Sequence, residues 1–277
     1  MKRLFLVFSF IFLLSSCDNS STNSNLRLYV FDCGSIKFQD ISNFGLSNNA
    51  TQVRELFVPC YLIEHKKGRL LWDAGLPLDI VGKGVITVRP GIEQLYKVSL
   101  LEQLQSLAVH PDEIDFIAMS HMHSDHVGAA ERFIQSTLLI QEEEFEAAFR
   151  NVSNFPVFDI SNYQELENNK RVTLTGNFDV FGDGSVIIIS APGHTPGHQV
   201  LLLRLKNYGP ILLSGDLYHF VKSRELQAIP AFNTDAEKTL ESMKKIEKII
   251  NTEEATLWIE HNLELAKSLN LAPAYYD

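Results

Sequence analysis

The stretch "SHMHSDHVG" (residues 120–128) places three histidines and one aspartate within six residues. His121 and His123 alternate at the end of an apolar run, so their side chains leave a predicted strand on the same side. Asp125 and His126 follow where the chain must turn into a helix. Imidazole and carboxylate groups are zinc ligands, and such a loop could serve two metals about 3.5–4 Å apart. A surface histidine patch or a set of helix caps is the plainer alternative.

Further side chains of the same chemistry appear where later apolar runs stop. His194 follows "SVIII" in "APGHTPGH", Asp216 ends "LLSGD", and His261 ends "LWIEH". A sheet presents its functional groups on the loops that follow its strands. We therefore expect these three side chains to join the histidine cluster.

The composition favours one large domain. The chain has 277 residues, of which 45% are apolar, and its formal net charge of −10 argues against nucleic acid or an anionic lipid surface as a partner. The charged run "QEEEFE" (residues 141–146) is interpreted as the solvated face of a helix.

Short apolar runs separated by turn signals predict two groups of strands, and flanking amphipathic segments predict helices. This pattern indicates a layered α/β sandwich. The predicted helices are 92–109, 127–134 and 235–250. The predicted strands are 26–34, 56–65, 68–75, 114–120, 136–140, 172–176, 178–182, 185–193, 198–205, 209–216 and 255–262.

The N-terminus has the features of an export signal. Two cations precede an apolar run too short to span a bilayer, and "LSSC" resembles a bacterial lipobox that ends at Cys17. We expect residues 1–16 to be a lipoprotein-type signal peptide and residues 17–25 to be a lipidated cysteine with a flexible tether. The protein would then be exported and lipid-anchored in the cell envelope, periplasmic or on the outer surface. Ordinary signal cleavage, with Cys17 incidental, is the alternative.

Cys33 and Cys60 both lie in apolar, strand-like runs. Two buried free thiols are the simpler interpretation. A disulfide is the alternative, because an exported protein folds in an oxidising compartment.

Four motifs together resemble the metallo-β-lactamase superfamily, from about residue 26 to the C-terminus: "HMHSDH", "PGHTPGH", "SGD" and "IEH". The resemblance implies a four-layer αββα sandwich over residues 26–277 and two Zn²⁺ ions, although other divalent transition metals would also fit. It implies that Asp73, in "LLWDAG", orients a ligating histidine rather than serving as a plain turn residue. It implies one metal on His121, His123 and His194, a second on Asp125, His126 and His261, and Asp216 bridging both.

Within the superfamily the chain resembles the N-acyl-homoserine lactonase group most. This resemblance implies that a metal-bridging hydroxide opens a lactone ring, with Asp125 as a proton shuttle. A phosphotriester or phosphoester hydrolase on the same metals is the alternative, and a non-catalytic envelope metal-binding protein is a weaker one.

The sequence departs from the lactonase group at one position. A tyrosine stands three residues after the bridging aspartate in that group, whereas "GDLYHF" has Tyr218 two residues after Asp216 and His219 three residues after it. Either side chain could donate a hydrogen bond to the substrate. His219 is favoured because it occupies the tyrosine position by count.

The remaining histidines are given structural roles: His65 in a solvated turn, His110 in a loop, and His198 in hairpin hydrogen bonding. Segments 36–51 and 77–91 are predicted to be loops over the site, which a small lactone or ester would enter. Four apolar residues of these loops either form an acyl pocket or belong to local core: Phe38, Phe44, Val85 and Val88. The oligomeric state is left open.

Overall fold

The computed structural model describes residues 26–155 and 157–277. The predicted signal peptide, Cys17 and the tether therefore lie outside the described residues. Within those ranges two β-sheets form, one of eight strands and one of five. No helix of the described ranges is both long and apolar enough to cross a membrane.

The larger sheet has the strand order β4-β5-β1-β2-β3-β6-β7-β8. Its first part is antiparallel, and from β3 onward β6, β7 and β8 pair in parallel. The strands are β1 Arg27–Phe38, β2 Glu55–His65, β3 Gly68–Trp72, β4 Ile86–Arg89, β5 Ile92–Leu95, β6 Phe116–Ala118, β7 Thr137–Gln141 and β8 Arg171–Leu174.

The smaller sheet has the strand order β13-β12-β11-β10-β9. It is antiparallel except for the pair β12 and β13. The strands are β9 Phe178–Asp179, β10 Val186–Ser190, β11 Gln199–Leu205, β12 Gly209–Leu213 and β13 Thr256–Trp258.

The α-helices of the described residues are short, with one exception. The longest begins after Asp235, whose side chain accepts a hydrogen bond from the backbone N–H of Lys238. The helices are α1 Leu100–Ser106, α2 Ser124–Val127, α3 Glu142–Phe145, α4 Val221–Leu226, α5 Ala236–Glu253 and α6 Leu263–Ser268.

Three apolar clusters define the layers. One covers the outer face of the larger sheet, where α1 contributes Leu100 and Leu104. The second lies between the sheets and contains Trp72 and Trp258. The third covers the outer face of the smaller sheet, where α5 contributes Ile246. Because each sheet buries both faces, the predicted four-layer sandwich is confirmed.

Two predicted helices were wrong. The segment 92–109 is a helix only over Leu100–Ser106, while Ile92–Leu95 is strand β5 and pairs with the end of β1. The helix begins where Ser99 and Glu102 form a capping box, a signal that marks the boundary in the sequence. Segment 127–134 forms only a short 3₁₀ turn, Ala130–Arg132. The predicted loop 77–91 also contains a strand, because β4 forms a hairpin with β5.

Two predicted solvated groups are buried. His65 is only 7% exposed, stacks on the ring of Phe181, and has its Nε2 3.0 Å from a carboxylate oxygen of Asp183. In "QEEEFE", Gln141 and Glu144 are buried rather than solvated, and Glu144 is only 2% exposed. The side chains of Gln141 and Glu144 each form hydrogen bonds with backbone groups of other segments. Composition alone does not reveal these partners.

Cys33 and Cys60 form a disulfide between β1 and β2, so the interpretation as free thiols was wrong. The bridge packs against Gly75, where a Cβ atom would come within 2.4 Å of the Cβ of Cys33. Gly75 lies in the loop after β3, and this loop contacts residues 120–128, which we call the histidine loop. The contact is a hydrogen bond from the N–H of Gly128 to the carbonyl of Gly75, at 2.8 Å. The disulfide therefore supports the loop that carries the histidines.

Replacing both cysteines by alanine should lower the free energy of unfolding by roughly 3.5 kcal/mol, because the bridge joins residues that are 27 positions apart in the unfolded chain. Urea denaturation of the variant and of the wild type, with and without a reducing agent, measures this difference. Equal midpoints for the variant and the oxidised wild type would contradict it.

Candidate metal centre

The histidine loop begins directly after strand β6. His121 and His123 precede helix α2, and their imidazoles are in contact, with His121 Nε2 2.8 Å from His123 Nδ1. Asp125 and His126 belong to the first turns of α2. The four side chains of the predicted cluster thus come from one strand end and the short helix that follows it.

Three later strand ends bring the distant partners to the same place. His194 follows β10, Asp216 follows β12, and His261 follows β13. The strands β12 and β13 are parallel neighbours, so their carboxyl ends lie at one edge of the sheet. All seven predicted ligands therefore meet between the two sheets.

The first group consists of three imidazoles. His194 Nε2 lies 3.1 Å from His121 Nε2 and 3.2 Å from His123 Nδ1. Burial and the neighbouring imidazoles hold the pKa values of His121 and His123 well below their usual range. These two rings are therefore neutral and carry lone pairs at neutral pH.

The second group contains one carboxylate and two imidazoles. Asp125 Oδ2 lies 3.7 Å from Nε2 of His126 and 3.7 Å from Nε2 of His261. These three side chains and the first group with Asp216 form two sets that could each hold a metal ion.

Asp216 lies between the two groups, and each of its oxygens faces one of them. Its Oδ2 is 3.2 Å from His194 Nε2, and its Oδ1 is 2.9 Å from His261 Nε2. Burial opposes ionisation of Asp216, but the surrounding imidazoles, first His219 and His261, hold its pKa well below the usual range. The carboxylate is therefore charged, and each of its oxygens faces imidazole nitrogens.

The outward-facing nitrogens show which atoms point inward. Nδ1 of His126 lies 2.9 Å from a carboxylate oxygen of Asp73, and Nδ1 of His261 lies 2.7 Å from the carbonyl of Phe57. Both partners only accept hydrogen bonds, so each Nδ1 carries a proton and Nε2 is the atom of each ring that faces inward. Burial opposes the charged form of both rings, but Asp73 and Asp216 raise the pKa of His126 well above its usual range, and Asp216 and Asp125 raise the pKa of His261 to about 9. A cation bound there would take the place of the inward proton. Nε2 of His126 has no hydrogen-bond partner in the described structure. Several lone pairs that converge in a buried space fit a cation.

Asp73 is fully buried and holds two parts of the histidine loop. One carboxylate oxygen accepts from the backbone N–H of Ser120 at 2.6 Å, and the other faces His126. The side chain thus lies where the resemblance implied, and its hydrogen bonds are not those of a plain turn residue.

His198 also has the hydrogen-bonding role that was predicted. Its Nδ1 lies 2.9 Å from the carbonyl of Ala191, and its Nε2 accepts the backbone N–H of Asp216 at 3.0 Å. Burial lowers the pKa of His198 to about 3, which keeps the ring neutral. His198 therefore fixes the backbone of Asp216 without joining either group of ligand atoms. His110, in contrast, is exposed in its loop.

Tyr218 and His219 point in opposite directions. The Tyr218 hydroxyl donates to Glu247 on α5 at 3.0 Å, on the outer side of the smaller sheet. His219 faces inward, with its Nε2 3.0 Å from Asp216 Oδ2 and its ring 5.0 Å from the ring of Phe44. Of the two candidate donors, only His219 lies beside the ligand cluster.

A cavity of about 510 Å³ opens onto the cluster. Asp125, Asp216, His219 and His261 form its polar end. Its other walls are largely apolar and include Ile36, Phe38, Phe44, Leu56, Val88, Ile92 and Phe232. Three of the four apolar residues singled out in the sequence thus line the cavity. Val85 does not, because it lies just before β4 and is 63% exposed.

Several residues of the site were missed in the sequence. Asn233 accepts from His194 Nδ1 at 2.8 Å, and Ser120 Oγ lies 3.0 Å from His121 Nδ1. Phe232 and Ile92 line the cavity. The only local signal was the turn-rich "FNTD" before α5, since the other residues reach the site through tertiary packing.

The comparisons with known proteins agree with this geometry. A family model described as the metallo-beta-lactamase superfamily matches residues 53–250. The N-acyl homoserine lactonase AttM of Azorhizobium caulinodans is 28% identical over 268 residues, which cover 92% of this chain and all (100%) of that protein. The N-acyl homoserine lactonase AiiA of Bacillus thuringiensis subsp. kurstaki is 26% identical over 257 residues, which cover 90% of this chain and 98% of that protein.

Solved structures extend the likeness to the fold. A quorum-quenching N-acyl homoserine lactone hydrolase superposes with a TM-score of 0.76 at 25% identity, covering 90% of this chain and 97% of that one. An N-acyl homoserine lactone hydrolase with N-hexanoyl-L-homoserine bound at its catalytic metal centre superposes with a TM-score of 0.75 at 26% identity, covering 90% and 98%. Since the family model spans most of the chain, this protein belongs to the metallo-beta-lactamase superfamily.

Proposed function

We propose that this protein is a metal-dependent hydrolase that opens the lactone ring of N-acyl-homoserine lactones. The observation that carries the proposal is the convergence of two groups of ligand atoms on Asp216 at the polar end of a cavity that also has a wall of apolar side chains. The full-length relatives named as N-acyl homoserine lactonases support a lactone over a phosphotriester as the substrate.

The cavity suits an amphipathic substrate. A homoserine lactone has a polar ring that would lie against Asp125 and Asp216, and an acyl chain that would extend along Phe38, Phe44 and Phe232. Phe38 and Phe232 each pack edge to face against Phe44, so the three rings hold one another in place. Apolar burial of the chain would supply binding free energy of roughly 0.8 kcal/mol per CH₂ group.

The metal ions are proposed to be zinc, because histidine nitrogen and carboxylate oxygen predominate among the ligand atoms. His121, His123 and His194 would hold one ion, Asp125, His126 and His261 the other, and Asp216 would contact both. Bound there, two such ions acidify a water molecule and polarise a substrate carbonyl.

Asp125 is assigned the proton transfer. Hydrolysis adds the oxygen of water to the lactone carbonyl carbon and breaks the bond from that carbon to the ring oxygen. The proton lost by the water must end on the ring oxygen, which leaves as a hydroxyl group. Asp125 lines the cavity beside His126 and His261, so its carboxylate can carry that proton from one oxygen to the other.

His219 is assigned the hydrogen bond to the substrate carbonyl oxygen. It lines the cavity, and its Nε2 is beside Asp216. Phe44 and Phe232 contact its ring and hold its orientation. A donor held in place before the reaction stabilises the charge that develops on that oxygen.

The central experiment measures metal content and lactone hydrolysis together, on protein expressed from Asn25 onward. The wild type should bind about two metal ions and open N-acyl-homoserine lactones. Asp216→Ala should lose most of the metal and reduce activity more than 10³-fold, on the order expected for loss of the metal chemistry. His110→Ala, which changes an exposed histidine, is the control. Wild-type protein that binds metal but turns over phosphotriesters and not lactones would refute the proposed substrate.

His219→Ala should lower kcat/KM for an N-acyl-homoserine lactone by about 10²–10³-fold with metal content unchanged, because one oxyanion donor is removed. Tyr218→Phe is the matched control, since its hydroxyl donates to Glu247 outside the cavity. If Tyr218→Phe were the slow variant and His219→Ala as fast as wild type, the assignment would be wrong.

We also propose that Cys17 is lipidated and anchors the protein in the cell envelope. The support is the basic start, the apolar run and "LSSC" in the sequence. The Cys33–Cys60 disulfide adds support, because such bridges persist in oxidising compartments. The lipid chains would hold the protein at a membrane without a spanning helix.

Cys17→Ser should release the full-length protein from the membrane fraction and abolish fatty-acid incorporation, because the acceptor thiol is lost. Fractionation and labelling with a radioactive fatty acid measure both effects. A variant that fractionates with the membrane as the wild type does, while neither protein takes up label, would rule out lipidation.

A further inference from the structure

The buried carboxylate of Glu144 lies behind the first ligand group, although the three other glutamates of "QEEEFE" are exposed. Glu142, Glu143 and Glu146 face solvent, whereas Glu144 is 2% exposed. Burying a carboxylate costs free energy unless it is paired with donors. Its position therefore requires an explanation that a solvated helix face does not provide.

The donors to Glu144 come from two different loops. Oε1 accepts the backbone N–H of Met122 at 2.9 Å, and Oε2 accepts the backbone N–H of Gly197 at 2.9 Å. Met122 stands between His121 and His123. Gly197 belongs to the loop "PGHTPGH" that carries His194. One carboxylate thus connects the two loops that supply the three imidazoles of the first group.

The contact with the second loop is close as well as hydrogen-bonded. A Cβ atom at Gly197 would come within 2.4 Å of the backbone nitrogen of Glu144 and 2.6 Å of its Cβ. Any side chain larger than glycine would therefore separate this loop from α3. The close approach is an independent indication that the distance between α3 and the His194 loop is fixed.

We infer that Glu144 is a positioning residue for the first metal site, one that holds the His121–His123 segment and the His194 loop at the spacing a single ion needs. It does not touch the ligand atoms and acts through the two backbones. The inference rests on the metal binding of the proposed function and not on the identity of the substrate. Groups that orient ligands in this way typically contribute about 10–100-fold to metal affinity.

Glu144→Gln tests this with little change in shape. An amide has one acceptor oxygen and an NH₂ group, so one of the two backbone N–H groups would face a donor. Chelator competition gives one dissociation constant for each of the two metal ions. We expect the constant of the three-histidine site to rise about 10–100-fold, and the constant of the other site to stay the same. Glu143→Gln removes the same charge from the exposed face of α3 and should leave both stepwise dissociation constants unchanged.

Two further variants separate position from charge. Glu144→Asp keeps the charge but draws the carboxylate back, so it should weaken metal binding in the same direction. Gly197→Ala keeps Glu144 and forces the loop away from it, and it should do the same. The loss should persist in a His261→Ala background, where the second site is weakened and the first is read more directly.

The outcomes are distinct. Circular dichroism of the metal-free proteins identifies the variants that fold, and if Glu144→Gln does not, the same titration of Glu144→Asp decides the question. Folded Glu144 variants with wild-type metal affinity and lower thermal stability would show a structural role only and overturn the inference. Wild-type protein that binds two metals but does not open lactones would refute the proposed substrate and leave this result standing.

Discussion

The structure depends on holding several imidazoles and carboxylates close together around one small buried space. Nitrogen atoms of imidazoles and oxygen atoms of carboxylates face each other there, and Nε2 of His126 and Oδ1 of Asp216 have no hydrogen-bond partner in the described structure. Buried polar atoms without partners cost free energy. The arrangement persists because the outward atoms of the same side chains are bonded to the scaffold, and a bound cation would offset the remaining cost.

That scaffold combines backbone groups with buried side chains from distant parts of the chain. Phe57 on β2 fixes His261 through its carbonyl, and the N–H of Asp216 is held by His198. The loop after β3 interlocks with the histidine loop, where the N–H of Ala74 donates to the carbonyl of His126 at 2.8 Å. The disulfide packs directly beneath this loop. Residues far apart in the sequence thus hold these side chains through hydrogen bonds to their outward atoms or to their backbone.

The sequence predicted which side chains come together because their signal is local. A polar residue at the point where an apolar strand stops marks the edge of a sheet, and His194, Asp216 and His261 all have that context. The sandwich followed from the same strands. What failed depends on tertiary contacts. The spacing of 92–109 suited a helix, yet pairing with β1 made Ile92–Leu95 a strand.

Charge and polarity misled for a similar reason. Glu144 sits in an acidic run and His65 beside lysines, so each resembles its solvated neighbours in composition. Their burial is decided by loops that arrive from more than fifty residues away along the chain, Gly197 for Glu144 and Asp183 for His65. The opposite directions of Tyr218 and His219, in contrast, follow from the alternation of side chains in extended backbone.

The course of β1 also determines where a lipid anchor would join the domain. Leu28, near its start, pairs with Tyr276, while Phe38 at its other end lines the cavity. A strand of 12 residues at roughly 3.3 Å each separates these ends by roughly 40 Å at most. If Cys17 carries lipid, the chain enters the domain at the end remote from the cavity. A substrate would then reach the cavity at the end of β1 that does not carry the anchor.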